Sequence, residues 1–190
     1  AMLNVARGGS EARPARAQLE RAHAFLAARQ PAPPIRLLIV HTGGNDVVHS
    51  LPLAFPLLVV DLVRLALIRA GVLARLERPP SSFSFVGLTS RRIARDTRAL
   101  LEDARARGHR RILLSTMPIS AAIPLARALV RIFALLCGAA FISATLADFE
   151  RLLKAEVAAE VAAFTTAHAD AVELVEFDEA HHLNALAAAA

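Results

Sequence analysis

The amino-acid sequence predicts an α/β fold built on a parallel sheet with helices on both of its faces. Three short aliphatic runs, at residues 35–41, 111–118 and 171–177, are separated by longer segments of helical periodicity. Strands that alternate with helices in this way imply right-handed crossovers between parallel neighbours. Small or polar residues follow each strand, and ligands bind to such sheets beyond the carboxyl ends of the strands.

Length and composition indicate one domain over residues 1–190. The chain is 55% hydrophobic, which is enough for a sizeable core. Cys137 is the only cysteine, so there is no internal disulfide, and the sequence indicates no metal or other cofactor. No basic start followed by an apolar stretch marks a secretory signal, so a cytoplasmic protein is the default expectation.

The net charge of +5 does not indicate a nucleic-acid-binding protein. It comes almost wholly from arginines scattered over the predicted helices, since Lys154 is the only lysine. Nucleic-acid binding favours a localised basic surface with aromatic residues for stacking, and this sequence has neither Tyr nor Trp. We therefore expect no nucleic-acid partner.

Two apolar segments, 51–74 and 119–147, are long enough to be compared with membrane spans. Both contain recurring charges: Asp61, Arg64 and Arg69 in the first, Arg127 and Arg131 in the second. Such charges are costly at the centre of a bilayer but suit a helix with one wet face. We expect packed or interfacial helices and no transmembrane span.

The first helix is predicted over Glu11 to Gln30, with Ser10 as its N-cap. One face of this helix carries Leu19, Ala22, Phe25 and Leu26. Prolines at 31–34 end it, and the first strand follows at 35–41.

Residues 51–77 predict one or two apolar helices, and 79–84 predict a loop. The next helix is expected to begin near Thr89 or Ser90 and to end at Gly108. Its inner face comprises Ile93, Thr97, Leu100, Leu101 and Ala104, and its arginines are expected to pair with Asp96, Glu102 and Asp103. After the second strand, a helical stripe precedes the third strand: Leu146, Phe149, Leu153, Val157, Val161 and Phe164.

Gly43-Gly44-Asn45-Asp46 follows the first strand and carries the first candidate site residue. The glycines allow a sharp turn, and the Asn45 amide could then donate hydrogen bonds to an oxyanion during acyl transfer. An ordinary turn is the alternative interpretation, because Gly and Asn are common turn residues.

The second candidate group follows the third strand. Asp178 with His181 or His182 could form an orienting carboxylate and a general base. The alternative is a helix start with Asp178 as N-cap and the histidines at the surface.

Together these groups resemble two catalytic blocks of the SGNH, or GDSL-type, hydrolases, which are serine esterases and lipases on a flavodoxin-like sheet. Gly43–Asp46 matches the family's Gly-x-Asn-Asp block, and Asp178 to His181 matches its Asp-x-x-His block. The His-Leu-Asn ending common in the latter block points to His182 instead, so the choice between the two histidines stays open.

A further family block, Asn-x-Ala-x-x-Gly, is similar to Asn4 through Gly9. The resemblance implies that the Gly9 backbone N–H joins the Asn45 side chain in an oxyanion hole. It also implies a flavodoxin-like, three-layer α/β/α fold and covers nearly the whole chain in the family's order.

The family's nucleophile block, Gly-Asp-Ser at the end of the first strand, does not occur in this sequence. The resemblance places this block upstream of Asn4. It therefore implies that the fold lacks its first strand and that the chain is truncated and inactive by itself, unless another segment or another chain supplies that strand. Ser10 follows two glycines and is a degenerate candidate, but the family has a further strand and helix before Asn45. Three other serines lie near the site edge outside nucleophile-like turns: Ser50, Ser115 and Ser120.

Residues 51–88 are longer and more apolar than a minimal family member requires. We interpret them as a helical insertion that forms either a lid or acyl-binding wall, or a packing helix that covers the sheet.

The resemblance implies hydrolysis of a small-molecule or lipid-like ester. A serine would attack the acyl carbonyl, His181 or His182 would act as base, and Asp178 would orient it. The alternatives are a non-catalytic α/β binding domain or gene fragment of the same fold, and a membrane-associated helical protein. The oligomeric state is not indicated.

Overall fold

The computed structural model describes residues 12–29, 37–42, 56–57, 59–64, 66–68, 70–72, 84–116, 131, 135, 139–170 and 172–178. Helices and strands alternate along the chain: α1 (Ala12–Ala27), β1 (Leu38–Thr42), α2 (Ser84–Ala106), β2 (Arg111–Thr116), α3 (Ala139–His168) and β3 (Glu173–Asp178). Further helical residues lie between 56 and 68. Within the described ranges, none of the helices combines the length and the apolar character needed to cross a membrane.

The three strands form a parallel sheet in the order β1-β2-β3, which confirms the predicted strand direction. Both crossovers step in the same direction across the sheet. Right-handed crossovers that do so place their helices on the same face. Accordingly, α2 and α3 pack against each other and contribute to one core cluster.

That core lies on one face of the sheet. Side chains alternate between faces along a strand, so Val40, Ile112 and Leu114 all point to the side of the helices, where they are buried. Most of the remaining buried side chains of the cluster come from the helices: Leu19 from α1; Ile93, Ala94, Leu100, Leu101 and Ala104 from α2; and Leu153, Val157, Val161 and Phe164 from α3. Val172, just before β3, completes the cluster. The predicted inner face of α2 is confirmed, since Thr97 is buried as well. The described part of the α3 stripe is also confirmed.

The other face of the sheet carries an apolar row that is partly exposed. Ile39, Leu113 and Val175 form one row across the three strands, and Ile39 is 59% and Val175 50% exposed. The helices α1, α2 and α3 all contribute to the cluster on the opposite face. Helices on both faces are therefore confirmed for one face only.

The predicted start of α2 near Thr89 or Ser90 was wrong, because the helix begins at Ser84. The first N–H groups of a helix have no partner within the helix. Here the Asp61 carboxylate accepts a 2.9 Å hydrogen bond from the Phe85 N–H. This partner is 24 residues earlier in the chain, so no local pattern reveals it.

The end of α2 was predicted correctly at Gly108. The glycine has a φ of +85°, and its N–H donates to the Arg105 carbonyl at 2.9 Å. The next N–H, from His109, donates to the Ala104 carbonyl at 3.2 Å. These two bonds form a Schellman motif, which fixes His109 directly beside the helix end.

Other helix and strand boundaries differ from the predicted ones by a few residues. α1 ends at Ala27, β1 begins at Leu38, and β3 ends at Asp178. Phe25 was wrongly assigned to the inner face of α1, because its ring is exposed and the Arg29 guanidinium lies 4.0 Å from its centroid. The predicted N-cap Ser10 lies outside the described residues.

Candidate functional site

The carboxyl edge of the sheet is where the sequence predicts a site. Thr42, Thr116 and Asp178 are register partners in one row, and each is the last residue of its strand. Neighbouring strands lie about 4.8 Å apart, so the ends of the two outer strands are roughly 10 Å apart. The segments after β1 and after β3 therefore leave the sheet from the same edge.

Of the predicted site residues, only Asp178 is described, and through its backbone alone. Four other predicted residues lie outside the described residues: Gly9, Asn45, His181 and His182. Asn45 is three positions after Thr42, and His181 three positions after Asp178. An extended chain covers about 3.5 Å per residue, so both can reach the middle of this edge. The structure shows that the strand ends lie together, and the candidate side chains are not among the described groups.

Ser115 is the one candidate serine in the described part of the chain. It lies within β2, is buried, and pairs in register with His41 and Phe177. Extended strand backbone is not the sharp turn that exposes a nucleophile. The prediction that Ser115 lies outside a nucleophile-like turn therefore agrees with the structure, and Ser10, Ser50 and Ser120 lie outside the described residues.

Buried polar groups lie near the beginning of α2. Because only four residues separate the end of α2 from the beginning of β2, the other end of α2 extends toward the carboxyl edge of the sheet. Asp61, Thr89 and Ser90 are all buried there. The Ser90 Oγ has no hydrogen-bond partner, and an unsatisfied buried hydroxyl typically costs about 1–3 kcal/mol.

The opposite, amino edge carries an ionic network that joins α2 to α3. Glu102 accepts hydrogen bonds from His168 Nε2 at 3.0 Å and Arg105 Nε at 3.2 Å, and Arg98 lies 2.8 Å away. Burial alone would raise the pKa of Glu102, but the hydrogen bonds from His168, Arg98 and Arg105 outweigh it and lower that pKa. This network connects helices and does not adjoin the candidate site.

A second polar contact at the amino edge was missed by the sequence analysis. His23 of α1 and His109, just before β2, are hydrogen-bonded through their ring nitrogens. They are 86 residues apart in the chain, so only the fold brings them together. Arginines along α2 pair as predicted, including Arg92 with Asp96 and Arg107 with Asp103.

Metal binding has no support from the described side chains. Among them, no three or more His, Cys, Asp or Glu residues are grouped so that they could hold a metal ion.

Comparison with known proteins identifies no relative. No family model matches the chain, and no curated protein or solved structure is significantly similar to it.

Proposed function

We propose that the carboxyl edge of this sheet is the active site of a serine ester hydrolase of the SGNH type. The row formed by Thr42, Thr116 and Asp178 is the observation that carries the proposal. The Asn45 segment and the segment after Asp178 therefore leave the same edge of the sheet, from strand ends roughly 10 Å apart. Acyl transfer requires the base and the oxyanion donors to reach hydrogen-bond distance, about 3 Å, from the reacting atoms.

In the proposed reaction a serine Oγ attacks the ester carbonyl and His181 or His182 takes its proton. Asp178 accepts a hydrogen bond from the other ring nitrogen and so orients the base. The Gly9 N–H and the Asn45 amide donate to the oxyanion, and the protonated histidine then gives its proton to the leaving alcohol. Water hydrolyses the acyl-enzyme by the same route in reverse.

The nucleophile is the component that these 190 residues supply least clearly. Gly-Asp-Ser does not occur in the sequence. In the proposed enzyme, the nucleophilic serine belongs to a segment that precedes Asn4, and Ser10 is the candidate within the 190 residues.

Two features of the sheet support a complete three-layer fold as part of this proposal. The row of Ile39, Leu113 and Val175 is an apolar face of the kind that a second helix layer covers. Among the described residues, β1 pairs with β2 alone, so its other edge could accept another strand.

An exposed apolar stripe supports an ester with an apolar acyl group. Val59, Val60, Val63 and Leu67 are exposed, whereas Asp61 on the same helical segment is buried. The hydrogen bond from the Phe85 N–H to Asp61 holds this segment beside the beginning of α2, which extends toward the candidate edge. Exposed apolar side chains at helical spacing commonly mark a binding surface.

Hydrolysis of a short-chain p-nitrophenyl ester tests the proposal. The 190-residue chain is compared with the chain extended by the codons that precede it in its gene. We expect turnover in the extended chain, a loss of about 10²–10³-fold in kcat on Asn45→Ala, and no change on Lys154→Ala, a surface control.

Activity of the 190-residue chain that disappears on Ser10→Ala would assign the nucleophile to Ser10. If both proteins are folded and neither hydrolyses the ester, the proposal fails and the non-catalytic binding domain is favoured. Activity that is unaffected by Asn45→Ala would also contradict the proposed oxyanion hole.

A further inference from the structure

His23 and His109 form the one hydrogen-bonded imidazole pair among the described residues, and it is partly buried. Their Nε2 atoms are 2.8 Å apart, and their ring planes meet edge to face at 81° with centroids 4.9 Å apart. His109 is only 3% exposed and His23 is partly buried. Because each Nε2 can either donate or accept, this bond requires one ring to donate its N–H and the other to present a lone pair.

The pair connects two elements whose positions are set independently. His109 is held by the Schellman motif at the end of α2, which also leads into β2. His23 belongs to α1, which is seated on the core through Leu19 and Ala22. A change in the pair therefore acts on the docking of α1 against α2.

We propose that the His23–His109 pair is a proton-sensitive lock that holds α1 on the sheet core and releases it in acid. A first proton leaves one N–H to donate and one lone pair to accept. A second proton places an N–H on both facing nitrogens, so the hydrogen bond is lost and two cations meet.

Burial and most of the surrounding charges act in the same direction. Burial, followed by Arg107, lowers the pKa of His23, while Asp103 partly opposes them. For His109, burial comes first, and the charges of His23 and Arg107 lower its pKa further. Arg16 of α1 lies 3.9 Å from Asp103 and shares that carboxylate with Arg107.

The sign of the pH dependence follows from these lowered pKa values. Released histidines bind protons more readily than docked ones, so acid favours release. The stabilising contribution is present above the ordinary value of 6.5 and is lost as the pH falls through the lower pKa of the docked pair. This device lies at the amino edge of the sheet, and it does not depend on the proposed ester hydrolysis at the other edge.

Hydrogen exchange of the full chain, corrected for the intrinsic pH dependence of exchange, tests the lock. From about pH 8 to about pH 5, we expect α1 amides to lose protection relative to α3 amides. His23→Gln keeps a polar side chain that does not titrate, so the pH-dependent loss should disappear. His168→Gln is the matched control, and the loss should persist in it.

A second measurement does not require a variant. Proton NMR of the imidazole Cε1–H groups should show that His23 and His109 titrate below the ordinary histidine value of 6.5, and that α1 resonances shift with them. Two results would overturn the proposal. In the first, the hydrogen-exchange protection of α1 amides changes in parallel with that of α3 amides over the whole pH range. In the second, His23→Gln shows the same pH-dependent loss of α1 protection as the wild type.

Discussion

The Asp61 carboxylate accepts a hydrogen bond from the Phe85 N–H at 2.9 Å, although the two residues are 24 positions apart. A carboxylate at the beginning of a helix satisfies a free N–H and lies at the positive end of the helix dipole. This bond stabilises the N-terminal end of α2, which begins at Ser84. It also holds the preceding helical segment, with its exposed valines, beside that end of the helix.

Asp61→Ala should destabilise the protein by about 1–2 kcal/mol, the usual cost of a lost helix cap. Chemical unfolding of the variant and the wild type measures this difference. Asp170→Ala, at an exposed turn position after α3, should stay within about 0.5 kcal/mol of the wild type. Equal effects of the two substitutions would contradict the capping role.

The two faces of the sheet should respond differently to truncation. Leu114 is fully buried, so Leu114→Ala should lower the free energy of unfolding by about 2–5 kcal/mol. Val175 is half exposed on the other face, and Val175→Ala should cost about 0.5 kcal/mol or less. Urea unfolding measures both values. A large cost at Val175 would show that its face is covered in solution.

The Glu102 network predicts an acid-dependent loss of stability. Its pKa is lowered in the folded protein, so unfolded Glu102 binds a proton more readily and acid favours unfolding. The stabilising contribution of ionised Glu102 is present above the ordinary Glu pKa of 4.5, and it is lost as the pH falls through the lower pKa of Glu102 in the folded protein.

Glu102→Gln tests this dependence by urea unfolding over a range of pH. The variant should be less stable than the wild type at neutral pH, and the difference should shrink in acid. Glu20→Gln, on the exposed side of α1, is the control and should show no comparable trend. A difference that grows as the pH falls would contradict the assigned direction.

Much of the fold could be predicted because its signals are local. The spacing of Leu100, Leu101 and Ala104 defines the buried face of α2, and Gly108 ends the helix through its positive φ. Aliphatic runs between helices similarly identified all three strands and their parallel direction.

Contacts between distant residues could not be predicted from such patterns. Asp61 and Phe85 are joined by the packing of separate segments, as are His23 and His109. A second layer over the face with Ile39 and Val175 stays a prediction, because a strand that is apolar on both faces predicts a covering layer without identifying the segment that provides it. For the candidate site, the sequence predicted the sheet edge at Asp178, where β3 ends.

The most direct test of the central claim is the rate of ester hydrolysis by the extended chain carrying His181→Ala or His182→Ala. One of these substitutions should lower kcat by several orders of magnitude, as the loss of a general base does, and the other should have little effect. Asp178→Asn should reproduce a loss of up to about 10⁴-fold. Full activity in both histidine variants would contradict an active site at the carboxyl edge of this sheet.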